Sequence, residues 1–159
     1  MIFNTHSDVS YISERNSKSR APGHFFFGWI PRGGERIQLN GTVYRLCSIL
    51  KFVELSVTEA ELGSLSLNKK ESCIMQLTLA KLVHTYPPTP INCYNSTVAG
   101  IANVNVKKKR SRSMELRYFY VCDQVNHGFV DVLWHPCQEN LGYYTRKHQD
   151  TPHNKLVRP

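Results

Sequence analysis

Near the start of the chain stands the segment His6-Ser7-Asp8-Val9-Ser10-Tyr11, which sets an acidic residue inside a predicted β-strand. Residues 2–13 alternate in polarity and carry Tyr11 and Ile12, a pattern typical of a strand. An aspartate in this place is either a strand-end or turn residue or an oxygen ligand for a hard divalent cation. Asp8 is therefore the first candidate site residue, and later parts of the sequence must supply its partners.

Four further segments follow in order along the chain. They are Ser56-Val57-Thr58-Glu59-Ala60-Glu61-Leu62, then Pro88-Thr89-Pro90-Ile91-Asn92-Cys93-Tyr94-Asn95-Ser96-Thr97, then Arg110-Ser111-Arg112-Ser113-Met114-Glu115-Leu116-Arg117-Tyr118, and finally Glu139-Asn140-Leu141-Gly142-Tyr143-Tyr144. No single segment is specific for one protein family. The occurrence of all five segments in this order over residues 3–147 is specific.

Together the five segments resemble the ribonuclease H region of the polyprotein of copia-type LTR retrotransposons. In that family the corresponding segments read roughly S-D-A-S-Y, T-E-A-E, T-D-N-S-T, and N-L-A-D-Y or N-L-G-D-Y. The resemblance implies an α/β domain over residues 1–147 with the ribonuclease H-like fold, a five-stranded mixed sheet with helices on both faces. Residues 148–159 are expected to form a flexible polar tail. The chain would then be a truncated or degenerate piece of a larger polyprotein, and other parts of that polyprotein are expected partners.

The resemblance also implies a site of four carboxylates that hold two Mg²⁺ ions and cut RNA in RNA–DNA hybrids. Asp8 and Glu61 match two of these positions and are the expected metal ligands. Tyr94 and Tyr143 stand where the family carries Asp. A phenol with a pKa near about 10 is neutral at pH 7 and a poor ligand for Mg²⁺. We therefore expect a remnant that binds nucleic acid and has lost hydrolysis.

Two other functions stay open at this point. The first is an active Mg²⁺-dependent endonuclease with an altered site that recruits Glu59 or Asp131. The second is a basic nucleic-acid-binding module without nuclease ancestry, which predicts that Asp8 and Glu61 lie far apart. Glu61 also has a structural interpretation, because Thr58 and Glu61 match the spacing of a helix capping box.

The charge favours a polyanionic partner, since 20 Lys and Arg against 12 Asp and Glu give a net charge of +8. The most basic run is Lys107-Lys108-Lys109-Arg110-Ser111-Arg112. It predicts contacts to the phosphates of a hybrid duplex without base readout, or else a solvated face or a nuclear-localisation-like patch. His135 is a candidate general acid or phosphate contact, and its alternative role is packing at the sheet edge beside Trp134.

Periodicity and turn residues predict alternating strands and helices after an initial meander. Strands are expected at residues 2–13, 23–30, 42–57, 90–94 and 129–134, and helices from 58 to about 83, 95–106, 113–126 and 139–147. Apolar runs are far shorter than the roughly 20 residues that a bilayer requires. With no apolar segment of the signal-peptide kind at the start, we expect an intracellular protein without a membrane partner.

Overall fold

The computed structural model describes residues 2–29, 41–82, 87–103 and 112–136, the last range with side chains from residue 116 onward. These ranges contain six strands and three α-helices. The strands are β1 (Ile2–Ser7), β2 (Ser10–Glu14), β3 (Lys18–Gly28), β4 (Thr42–Ile49), β5 (Thr89–Cys93) and β6 (Val130–Trp134). The helices are α1 (Val57–Lys81), α2 (Ser96–Ala102) and α3 (Arg112–Asn126). None of the described helices is long and apolar enough to cross a membrane.

The strands form one mixed sheet. β3 pairs antiparallel with β4 on one side and with β1 and β2 on the other. β1 then pairs in parallel with β5, and β5 in parallel with β6. Because parallel strands end at the same edge of a sheet, the C-terminal ends of β1, β5 and β6 come together.

The predicted first strand is split in two, so the sheet has six strands where five were expected. The break lies at Asp8 and Val9, where the Asp8 N–H bonds to the Pro22 carbonyl at 3.3 Å. Within β2 the register against β3 shifts, and Ile12 adopts a φ of 50°. A positive φ at a β-branched residue is typical of a local bulge, not of regular pairing.

Two other strand boundaries differ from the expectation by five residues or more. β3 begins five residues earlier than the predicted residue 23, because Pro22 interrupts the sequence pattern but still pairs with Cys47. β4 ends at Ile49, whereas the pattern extended to residue 57. After β4, the apolar side chains of Phe52, Val53 and Leu55 are exposed and do not continue the sheet.

All three described helices pack on one face of the sheet around a shared apolar core. This core contains Leu62, Leu65, Ile91, Cys93, Val98, Ala99, Ala102, Val121, Val130 and Val132. The predicted helix at residues 139–147 lies outside the described residues. Lys69 joins α1 to α3, because its buried ammonium donates to the Tyr120 hydroxyl at 3.0 Å and to the Gln124 side-chain carbonyl.

Candidate active site

Three of the predicted site residues lie at one edge of the sheet. Ser7 and Cys93 are the last residues of β1 and β5 and are register partners. Asp8 and Tyr94 follow them directly, on neighbouring strands about 4.8 Å apart. His135 follows β6, and its N–H donates to the Cys93 carbonyl at 3.0 Å.

Glu61 reaches this edge from the first turns of α1. Ser64, one helical turn after Glu61, donates its hydroxyl to the Asp8 carbonyl. One turn further on, the Asn68 amide donates to Ser7 Oγ at 2.9 Å and to the Pro22 carbonyl at 3.0 Å. These small polar side chains hold the start of α1 directly beside the end of β1.

A glycine on β3 makes this close packing possible. A Cβ atom built at Gly23 would overlap the side-chain oxygen of Asn68. Any larger residue at this position would therefore push α1 away from the sheet, and Glu61 away from Asp8.

The helix cap differs from the predicted one. Ser56 is the N-cap, and its side chain accepts the Glu59 N–H at 3.1 Å. The Glu59 carboxylate in turn accepts the Leu55 N–H at 3.0 Å. The prediction of Thr58 and Glu61 as the capping box is wrong, because the sequence offers the same spacing two residues earlier and the helix starts there. Glu61 thus lies inside the helix and faces the sheet edge.

Asp8 and Glu61 are both buried, with exposures of 5% and 9%. Both lie close enough to the Cys93 thiol to act on its protonation. Burial raises the pKa of Cys93 to about 12, and the carboxylates of Glu61 and Asp8 act in the same direction. The two acids therefore share one neighbour at the end of β5, and Cys93 is a neutral thiol at physiological pH.

Tyr94 points to the face of the sheet opposite the three helices. Its hydroxyl is hydrogen-bonded to His6 Nδ1, and the two ring centroids are 5.9 Å apart. His6 is fully buried and pairs across the strands with His24, at a ring-centroid distance of 6.3 Å. Burial, and then the neighbouring His24 and His135, keep the pKa of His6 well below its ordinary value of 6.5.

His6 and His24 were not among the predicted site residues. A usable signal was present, since alternation along the strand predicted at residues 2–13 puts His6 and Asp8 on the same face. His24 required knowledge of the β1–β3 register, which short-range patterns do not provide.

Other predicted residues are placed elsewhere or lie outside the described residues. Tyr143 and the basic positions Lys107, Lys108, Lys109 and Arg110 lie outside, and Arg112 is described only as the first residue of α3. Asp131 is exposed on β6 and pairs with Pro90. It lies three residues, roughly 10 Å, before the strand end that carries the site.

A metal ion at this edge would have to be held by the side chains that meet there. Asp8 and Glu61 converge, but the third position holds the Tyr94 phenol, which is hydrogen-bonded to His6. Within the described ranges, no group of three or more His, Cys, Asp or Glu side chains is arranged to hold a metal ion. These donors do not fit a pair of Mg²⁺ ions, which requires a cluster of carboxylates.

No protein-family model matches the sequence, and no curated protein matches it. Solved structures do match in fold. LC11-RNase H1, crystallised in complex with an RNA/DNA hybrid, superposes with a TM-score of 0.61 at 10% identity, over 87% of this chain and 88% of that one. RNase H1 from the archaeon Halobacterium salinarum gives a TM-score of 0.59 at 10% identity, over 88% and 89%. An N-terminal RNase H domain from Mycobacterium tuberculosis gives 0.58 at 8% identity, over 87% and 84%. The chain therefore has the ribonuclease H-like fold.

Proposed function

We propose that this chain is a remnant of a ribonuclease H domain of a copia-type retrotransposon polyprotein, and that it binds RNA–DNA hybrids without hydrolysing them. The proposal joins the ordered sequence segments to the geometry at the end of β1 and β5. Asp8 and Glu61 keep the places that a two-metal nuclease needs, while Tyr94 occupies the third.

The bond between Tyr94 and His6 is the observation that carries this proposal. A phenol has an ordinary pKa near about 10 and is a poor ligand for Mg²⁺ at neutral pH, and the bond to the buried His6 imidazole holds this hydroxyl within the protein. Two carboxylates give about two negative charges against the +4 of two divalent ions. The lost charge weakens metal occupancy, and without bound ions nothing activates water for attack on a phosphodiester.

Binding of the hybrid does not need the metal cluster. The net charge of +8 supplies attraction to the phosphate backbone, which dominates the affinity of sequence-independent binders. One structure of the same fold was crystallised with an RNA/DNA hybrid. By analogy, the hybrid would lie across the edge formed by Asp8, Glu61 and His135, and the basic run 107–112 would contact its backbone.

The two alternative functions are less well supported by the described residues. A nuclease that recruits Glu59 or Asp131 would need these acids at the edge. Glu59 instead caps α1, and Asp131 lies away from that edge. A basic module without nuclease ancestry predicted that Asp8 and Glu61 lie far apart, yet Ser64, one helical turn after Glu61, donates its hydroxyl to the Asp8 carbonyl.

Hybrid binding is tested by measuring affinity for a random-sequence RNA–DNA hybrid at two salt concentrations. We expect affinity to fall steeply with salt, at a log–log slope of about 0.9 per phosphate contact. Replacing Lys108, Lys109 and Arg110 together with Ala should lower this slope by about two to three. Lys81→Ala, at the end of α1, serves as a control for the loss of charge alone. Absence of hybrid binding at low salt would refute the proposal, and an unchanged slope in the triple variant would remove the basic run from the interface.

A further inference from the structure

A cleft of about 590 Å³ opens on the side of α1 that faces away from the candidate active site. It is lined by Ser48, Ile49, Leu50, Lys51, Phe52, Gly63, Ser66, Leu67, Lys70 and Arg117. An α-helix turns by about 100° per residue, so Gly63 and Lys70 lie on the opposite side of α1 from Glu61. A ligand in this cleft would therefore not occupy the edge that holds Asp8 and Glu61.

Arg117 crosses the cleft from α3. A Cβ atom at Gly63 would lie 3.3 Å from Arg117 Nη1, so the glycine makes room for the guanidinium. Arg117 Cζ lies 5.0 Å from the centroid of the Phe52 ring, and Nη1 lies 3.8 Å from the buried Glu54 carboxylate. The 3.8 Å separation is too long for a hydrogen bond, and Nη1 has no hydrogen-bond acceptor within the described structure.

Positive charge exceeds negative charge around this cleft. Lys51, Lys70 and Arg117 line it, and the acidic partner that the described residues give Arg117 is Glu54, which is buried beneath the surface. The Lys70 ammonium lies 5.6 Å from the Tyr120 ring, so α3 positions it without neutralising it.

A second cleft of about 430 Å³ continues from the first. The two share Ile49, Leu50 and Lys51, and the second adds Arg15 and Lys18. Its acidic residue, Glu14, is bound to the Arg20 guanidinium at 2.6 Å. Five cationic residues, Arg15, Lys18, Lys51, Lys70 and Arg117, thus follow one another along two adjoining clefts, which we call the basic track.

An exposed aromatic ring lies on the basic track. Phe52 is 64% exposed although it is a large apolar side chain. Cationic side chains that follow a backbone, together with an aromatic ring that accepts a base, are the two features by which proteins hold single-stranded nucleic acid. A duplex offers no unpaired base to such a ring.

We propose that the basic track binds single-stranded nucleic acid, with one base on Phe52 and adjoining phosphates on Lys51 and Lys70. This site is separate from the hybrid-binding edge and does not depend on it. A chain with both surfaces could hold a hybrid and a single strand at the same time.

The test is fluorescence anisotropy of the full chain with a labelled oligothymidylate of about 12 nucleotides. Phe52→Leu keeps an apolar side chain but removes the ring, and should weaken binding about five-fold or more. Lys51→Gln together with Lys70→Gln should reduce the log–log salt slope by about 1.4, at about 0.7 per contact on a single strand. All three side chains are exposed, so thermal unfolding of these variants should match that of the parent.

Two variants serve as matched controls. Phe129→Leu removes a similarly exposed ring away from the track, and Lys81→Gln removes a charge on α1, the helix that carries Lys70. Both should bind the oligothymidylate as the parent does, and Phe52→Leu should bind the RNA–DNA hybrid unchanged. The proposal is overturned if Phe52→Leu and Phe129→Leu behave alike. It is also overturned if a polyglutamate peptide displaces the oligothymidylate at equal charge concentration, because the track would then recognise negative charge alone.

Discussion

The position of Tyr94 and the hydrogen bond of its hydroxyl both affect the chemistry at the edge of the sheet where β1 and β5 end. Its position, directly after β5 and beside Asp8, is where the sequence resemblance expects a carboxylate. Its hydroxyl is instead bonded to His6, and both side chains are buried. The phenol therefore contributes packing and a hydrogen bond at the position where the resemblance implies a carboxylate.

His6 makes the stability of the protein depend on pH. Because its pKa is well below 6.5 in the folded state, the unfolded chain takes up a proton that the folded chain does not. The contribution of His6 to the free energy of unfolding is therefore fully present above pH 6.5. It is lost as the pH falls from that value towards the pKa of His6 in the folded state. We expect the free energy of unfolding, measured with urea between about pH 5 and 8, to decrease on the acidic side.

Two substitutions identify the group responsible. His6→Asn should flatten this slope, even if it lowers stability at every pH through the lost bond to Tyr94. His127→Asn, at an exposed position, should leave the slope as it is. Equal slopes in the parent and in His6→Asn would show that His6 does not carry the effect.

At the scale of single residues, Asp8 and Glu61 could be predicted from the sequence, but the side chains that surround them could not. Asp8 and Glu61 were predicted from short sequence segments that resemble those of the family. The Ser64 and Asn68 bonds that hold them, and the pairing of His6 with His24, depend on contacts between residues distant in sequence. Such contacts follow from strand register and helix docking, which local patterns do not determine.

The element that matters most for the site is α1, because its first turn sets the position of Glu61. Its cap is Ser56, although Thr58 fits the same sequence pattern equally well. Ser56→Ala should therefore cost about 1 kcal/mol of unfolding free energy, whereas Thr58→Ala should cost much less. Urea denaturation of the two variants measures the difference. A larger loss for Thr58→Ala would mean that the helix begins two residues later.

Element types were more predictable than element boundaries. Helix periodicity indicated α1 and α3, and Asn95 was placed correctly at the start of α2, where its side chain accepts the Thr97 and Val98 N–H groups. The strand ends were missed at Pro22, where a proline interrupts the alternation, and at Asp8 and Val9, where the chain leaves the sheet between β1 and β2. The exposed segment after β4 was assigned to a strand because it is apolar, and burial cannot be read from composition alone.

At the scale of the whole molecule, the ribonuclease H-like sheet and the meeting of β1 with β5 at one edge are present in the described residues. We propose that Tyr94, in place of a carboxylate, reduces the negative charge available for two-metal catalysis at this edge. We also propose that the net charge of the chain and the basic track provide two surfaces for nucleic acid that do not require a metal ion.

The most direct test is an RNA–DNA hybrid cleavage assay with Mg²⁺ on the parent, Tyr94→Asp, Tyr143→Asp and the double variant, each with and without Asp8→Asn. We expect no cleavage above background by the parent, and little by either single variant, because the residues of a metal site act as a unit. The double variant should regain activity that Asp8→Asn abolishes. Asp8-dependent cleavage by the parent would contradict the account, because the two tyrosines would then not have disabled the site.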